Sequence, residues 1–229
     1  AHLAGRVAEQ LELDSLSLTK EIESKYFMDS VNLNREELLS LFLPNSYEMY
    51  WNISAAEFCQ RMQRENDLFW NENRESKRKR LNMSRAEVIT LAAIVNEESR
   101  KVDERPRVAG VYLNRLRRGM KLQADPTVKY AASQTEKYSG LIIKRVLNKH
   151  LKINSPYNTY KFYGLPPGLI SMPSIQAIDA VLNFEEHDYF FFADDPENPG
   201  KHTFTKTLSE HKKNARKLHR YLNKKGIKR

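Results

Sequence analysis

The sequence has a single cysteine, Cys59, and no apolar run close to the length of a membrane span. A lone cysteine excludes an internal disulfide framework and a cysteine-based zinc site. A spanning helix needs roughly 18 to 20 apolar residues in succession. The longest runs here are Leu91 to Val95 and Tyr189 to Ala193. Internal repeats and low-complexity tracts are absent as well. His150, His187, His202 and His211 are scattered without metal-ligand spacing, so neither a metal nor another cofactor is expected. The chain begins with alanine, not methionine, and so reads as a fragment or processed form whose missing start could hold a signal or anchor.

What is present suffices for one large domain or two small ones: 229 residues, 40% hydrophobic and 29% charged. The formal charge of +9 suggests nucleic acid until it is located. Lys206 to Arg229 hold ten basic residues against Glu210 alone, which leaves 28 of each sign elsewhere. Leu208, His211, Ala215, Leu218 and Leu222 recur at three- and four-residue intervals, so the tail reads as a basic amphipathic helix. A docked helix with a solvated basic face is the simpler reading, contact with an anionic surface the other. Lys77 to Arg80 read as a solvated linker.

Helical spacing covers residues 3–12 and 17–25, a short helix is expected over Arg35 to Phe42, and a long one from Ser54 to about Arg74. Residues 1–80 therefore read as a helical arm. Beyond residue 81 Gly, Pro and apolar clusters become frequent, and an α+β domain is expected over 81–229. Ser84-Arg85-Ala86-Glu87 fits a capping box for a helix reaching about Arg100. Arg105 to Leu116 should form the next helix, with Pro106 in its first turn and Gly119 after its end. Asp125-Pro126-Thr127 reads as a helix start with Asp125 as the cap. Pro173-Ser174 should begin a helix ending near Leu182, and Asp188 to Ala193 and His202 to Thr205 are strand candidates around a polar turn.

The helix after Ser84 carries an anomaly. At about 100° per residue, Val88, Leu91, Ala92, Ile94 and Val95 share one broad stripe. Glu98 lies roughly 20° from Leu91, whereas its neighbour Glu97 falls roughly 150° from the stripe's centre. A carboxyl that points where apolar side chains point loses solvation, which raises its pKa. Such a group suits general acid catalysis near neutrality. It equally suits a structural pair with Arg107 or Arg115, and the geometry of the helix alone leaves both open.

Longer segments add to this. Leu91-Ala92-Ala93-Ile94-Val95-Asn96-Glu97-Glu98-Ser99, Val108 to Leu116, Gly119 to Val128, Tyr157-Asn158-Thr159-Tyr160, Gly164-Leu165-Pro166-Pro167-Gly168, His202-Thr203-Phe204-Thr205 and Glu210-His211 follow one another over about residues 82–220. In order and spacing they resemble the YceG-like family of endolytic murein transglycosylases. The resemblance implies an envelope enzyme that cuts peptidoglycan glycan strands internally. It implies a single-pass anchor of the full-length protein in the bacterial inner membrane, with the catalytic domain on the periplasmic or extracytoplasmic side and this fragment itself soluble. It also implies that residues 1–80 hold the remnant of a LysM-like subdomain and its connection. The family's catalytic glutamate maps onto Glu98; an earlier family glutamate is Asn96 here, and Met172-Pro173 stands where many members have Asn-Pro.

In lytic transglycosylases, which the chain resembles, one carboxylic acid protonates the leaving oxygen and then deprotonates the muramic acid C6 hydroxyl. That hydroxyl closes a 1,6-anhydro ring without water. Arg115, Gln123, Asp125, Asn158, Tyr160 and His202 are the candidate substrate contacts, through hydrogen bonds to N-acetyl and hydroxyl groups or packing on a sugar face. Leu165 to Gly168 should shape the groove through rigid backbone. Glycan strands are the expected partner and peptidoglycan synthases candidate protein partners, with no nucleic acid. The alternatives are a muramidase-type hydrolase of the same polymer, a non-catalytic cell-wall or nucleic-acid binding module, and, least favoured, a pyridoxal-phosphate lyase.

Overall fold

The computed structural model describes residues 2–143 and 145–224, without the side chains of His219 and residues 222–224. The basic stretch from Lys225 to Arg229 lies outside the described residues. The chain is largely helical, with a small two-stranded antiparallel sheet near its C-terminal end.

The N-terminal part contains α1 (His2–Ala8), α2 (Ser15–Ile22), α3 (Lys25–Val31), a 3₁₀ turn at Leu38–Leu41 and α4 (Ala55–Phe69). Short polar caps set these boundaries: Asp14 and Ser24 accept backbone N–H groups at the starts of α2 and α3, and Ser54 with Glu57 forms a capping box for α4. Leu18, Phe27, Leu41, Phe42, Phe58 and Met62 bury a small core of their own. Asn66 of α4 donates to Leu41 O at 3.0 Å and ties the 3₁₀ turn down. The expected helix over Arg35 to Phe42 is only this turn. Among the described residues no strand precedes Phe191, so the expected remnant of a LysM-like subdomain is not found.

The long helix expected from Ser54 is two. Trp70 ends α4, and Asn71 caps α5 (Glu72–Leu81) by accepting from Arg74 N at 3.1 Å. The Lys77 to Arg80 cluster is therefore helix, not linker. Arg78 pairs with Glu75 and donates to Met83 O, and Lys77 reaches Asn183. Lysine and arginine suit this last turn, where the helix dipole favours cations.

The larger core is built around α6 (Arg85–Glu98), with its Ser84–Glu87 capping box. The expected apolar stripe is in fact all-round burial: Ala86 and every residue from Val88 to Val95 are buried. A helix apolar on all sides belongs at the centre of a fold. Around it stand α7 (Arg105–Arg117), α8 (Asp125–Ser133) and, beyond the four-residue α9 (Asn148–Leu151), α10 (Ile175–Leu182), capped by Ser174. The strands β1 (Phe191–Asp194) and β2 (His202–Thr205) pair Phe192 with Phe204 and Asp194 with His202. The basic helix α11 (Leu208–Lys224) packs against both strands. Arg74 joins the N-terminal part to α10 through two hydrogen bonds to the Asp179 carboxylate, at 2.9 and 3.1 Å.

Candidate active site

Between the end of α6, the middle of α7, the start of α8 and the sheet lies a cavity of about 380 Å³. Glu98 is its central group. The last turn of α6 brings it there: Glu97, one residue earlier, is exposed, while Glu98 faces the cavity and is only partly accessible. Its partner is not an arginine. Tyr112 Oη donates to Glu98 Oε1 at 2.7 Å, and Tyr112 itself is 2% exposed. Arg107 pairs instead with Glu185.

Burial pushes the Glu98 carboxyl from its ordinary 4.5 to about 7. The Tyr112 hydrogen bond pulls against this by stabilising the ionised form, the charges of Asp125 and Asp194 add to it, and Lys129 opposes it. The group thus changes protonation near neutral pH. Burial beside an ionised neighbour raises the Tyr112 and Tyr160 hydroxyls as well, so both remain hydrogen-bond donors.

Arg115, three residues after Tyr112 on α7, also lines the cavity, but its guanidinium is spent on backbone. It donates to Phe190 O and Leu122 O, each at 2.6 Å, and fixes the edge of the sheet to the loop before α8. Gln123 lines the cavity on that loop, exposed, in the left-handed region at φ 51°. Its backbone N–H donates to Thr159 O at 3.2 Å, and Ala124 N to Thr159 Oγ1 at 3.0 Å.

Asp125 departs from expectation. It is the first residue of α8, makes no capping bond, and follows Ala124 as the cap. Its carboxylate accepts the Tyr160 hydroxyl at 2.7 Å and faces the same cavity as Glu98. Asn158, expected as a substrate contact or equally as a partner for loop backbone, takes the second role. It is fully buried and away from the cavity. Its amide donates to Leu151 O and Ile153 O, and its Oδ1 accepts Tyr160 N. It satisfies loop backbone and thereby aims Tyr160. Leu165, Pro166 and Pro167 likewise line a separate hollow next to Leu81 and Met83, not the Glu98 cavity.

His202 does line the cavity, with its ring nitrogen Nδ1 2.9 Å from Glu104 Oε2. Tyr112, the two phenylalanines of β1 and His211 on α11, which stacks on Phe191, also line the cavity, although none of them is among the expected contacts. One signal could have found Tyr112: it shares a helix with Arg115 at a spacing of three, hence a face. Among the described residues no three His, Cys, Asp or Glu side chains are grouped so as to hold a metal ion.

A concave site that joins a carboxyl shifted to about 7, a second carboxylate at Asp125, tyrosine hydroxyls, an amide and aromatic rings is equipped for acid–base chemistry. Residues 1–217 match the YceG-like family, and the chain belongs to that family. It is 39% identical over 142 residues to an endolytic murein transglycosylase of Bacillus subtilis, a stretch covering 62% of this chain and 37% of that protein. With an enzyme of the same name from Streptococcus pneumoniae it shares 33% over 134 residues, covering 58% of this chain and 24% of the other. The chain thus spans well under half the length of these curated relatives. The crystal structure of a yceG-like protein from Listeria monocytogenes superposes with a TM-score of 0.73 at 30% identity, over 93% of this chain and 71% of that one.

The expected single-pass location in the inner membrane needs correction. Among the described residues no helix is long and apolar enough to cross a membrane, and the matched Listeria fold accounts for nearly the whole chain. The helix α6, buried throughout from Val88 to Val95, serves as the centre of the core.

Proposed function

We propose that this chain forms the catalytic part of an endolytic lytic transglycosylase, cutting peptidoglycan glycan strands between N-acetylmuramic acid and N-acetylglucosamine to leave 1,6-anhydro ends. The observation that carries this reading is Glu98, a carboxyl lining a cleft and pushed by burial to about 7. Family membership and the names of the relatives point the same way. In this reading residues 81–229 are the catalytic unit and residues 1–80 a helical arm.

Protonated Glu98 gives its proton to the glycosidic oxygen as the bond to the muramic acid anomeric carbon breaks and oxocarbenium character develops there. Tyr112 then steadies the carboxylate left behind. That carboxylate removes the proton of the C6 hydroxyl, whose oxygen bonds to the anomeric carbon. One C–O bond is broken, one is formed, and Glu98 returns to its starting state without water. Intramolecular attack gains from proximity, so no second nucleophilic carboxylate is needed. Gln123, Tyr160 and His202 are the proposed glycan contacts.

Digestion of purified glycan strands followed by product mass tests this. Glu98→Gln keeps the size of the side chain and an acceptor for Tyr112 but removes the acid, so anhydro products should fall at least about 100-fold. Glu97→Gln alters an exposed side chain and should stay within a few-fold of the parent. The reverse outcome would overturn the assignment of the acid.

Asp125 favours a second reading. It faces the same cavity and does not cap its helix, so it is available as a base for water. Hydrolytic ends are heavier than anhydro ends by one water, and the same mass measurement separates the two.

A further inference from the structure

Glu104, in the turn just before α7, is 7% exposed, an expensive place for a carboxylate unless both of its oxygens are used. They are. Oε1 accepts the backbone N–H of His202 at 3.0 Å, and Oε2 lies 2.9 Å from His202 Nδ1. The imidazole is held on its other sides by aromatic rings. Phe192 meets it edge-on at 5.2 Å and meets Tyr112, the donor to Glu98, edge-on at 5.9 Å. His202 Nε2 makes no hydrogen bond among the described residues. Asp194 Oδ1 stands 3.6 Å from it, beyond hydrogen-bond length, on a side chain that is 71% exposed. The His202 ring itself borders the Glu98 cavity.

A carboxylate on one imidazole nitrogen makes that nitrogen the proton carrier and so defines what the other can do. Stapling β2 to the start of α7 would need only the backbone bond to Oε1. The bond to Nδ1 adds something different, a fixed tautomer and ring orientation. We propose that Glu104 is a positioning residue of the cleft: it holds His202 so that Nε2 accepts a hydrogen bond from the bound glycan, from a sugar hydroxyl or an N-acetyl N–H. This deepens the transglycosylase reading and rests on it.

The test compares the parent with Glu104→Gln, Glu104→Asp, His202→Ala and the double variant Glu104→Gln/His202→Ala, by steady-state rates on soluble glycan strands with thermal melts alongside. Glutamine keeps an oxygen for the backbone N–H but turns an N–H toward Nδ1, which reverses the tautomer and closes Nε2 as an acceptor. Glu104→Gln should lower kcat/KM about tenfold or more at nearly unchanged Tm, and His202→Ala should do so at a lower Tm, since it leaves Glu104 Oε2 without its partner. Glu104→Asp should recover part of the loss, and the double variant should be no worse than His202→Ala alone, as expected of two residues acting through one contact. Parent-like rates for Glu104→Gln overturn the proposal, as does the same fold-loss in the His202→Ala background. Should Glu104→Gln not fold, His202→Ala decides alone: parent-like kcat/KM in that folded variant also overturns it. Glu98→Gln is the control that separates the two levels. An active Glu98→Gln defeats the function itself. An inactive one beside parent-like Glu104 and His202 variants defeats this inference only.

Discussion

Glu98 and Glu97 are adjacent and identical in chemistry, yet the end of one helix gives them opposite environments. Desolvation dominates at Glu98, and the Tyr112 hydroxyl supplies an opposing contribution that keeps the group titrating near neutrality. Removing that hydroxyl has a definite sign. Tyr112→Phe takes away a donor that stabilises the ionised carboxylate, so the Glu98 pKa should rise further. If the protonated form is the proton donor, the rate falls as pH rises through that pKa, and the alkaline limb of the pH–rate profile should move to higher pH in the variant. An unmoved limb would show that it belongs to another group.

At the level of elements, the site is held by close approaches that single residues permit. Gly110, inside α7, is buried against the segment after α10. A Cβ there would collide with Glu185 O and stand 2.7 Å from His187 Nε2. The same helix presents Tyr112 and Arg115 to the cavity, so this packing bears on the site. Gly110→Ala should cost about 1–3 kcal/mol through overpacking, read as a lower midpoint in denaturant. Gly5, in α1, has nothing within 4 Å of the same added atom. Gly5→Ala should be stabilising by roughly 0.4–1 kcal/mol, because it restricts the unfolded chain without a native clash. Asn96 plays a comparable joining part, with its Oδ1 accepting the hydroxyl of Ser174, the cap of α10, at 3.1 Å.

For the whole molecule, a buried acid links folding to pH. A carboxyl whose folded pKa is raised from 4.5 to about 7 binds its proton more tightly in the native state than in the unfolded chain. Stability therefore declines as pH rises from about 4.5, and the cost is fully developed above about 7. At 1.36 kcal/mol per unit its upper bound is about 3 kcal/mol. Glu98→Gln does not titrate, so it should be more stable than the parent above pH 7 and about equal to it below pH 4.5. Denaturant melts at pH 4 and pH 8 check this. A constant difference at both pH values would mean that Glu98 is not the buried titrating group.

Much of this was legible in the sequence because it is local. The Ser84–Glu87 capping box, Pro106 in the first turn of α7, the Ser174 cap and the opposed faces of Glu97 and Glu98 follow from rotation per residue and from the needs of helix ends. Other features depended on partners distant in the chain. The expected continuous helix breaks at Trp70 because that ring is buried in the larger core while Asn71 caps a new helix. Asn158 and Asp125 both sit in promising motifs. Only the tertiary contacts decided that Asn158 serves buried loop backbone, and that Asp125 faces the cavity through Tyr160, which lies 35 residues away. The sequence by itself determined which carboxyl turns inward, since helical periodicity is a property of the chain alone. What surrounds that carboxyl, Tyr112 in place of an arginine, was decided by how α6 and α7 pack, because hydrogen bonds depend on distances that periodicity does not contain.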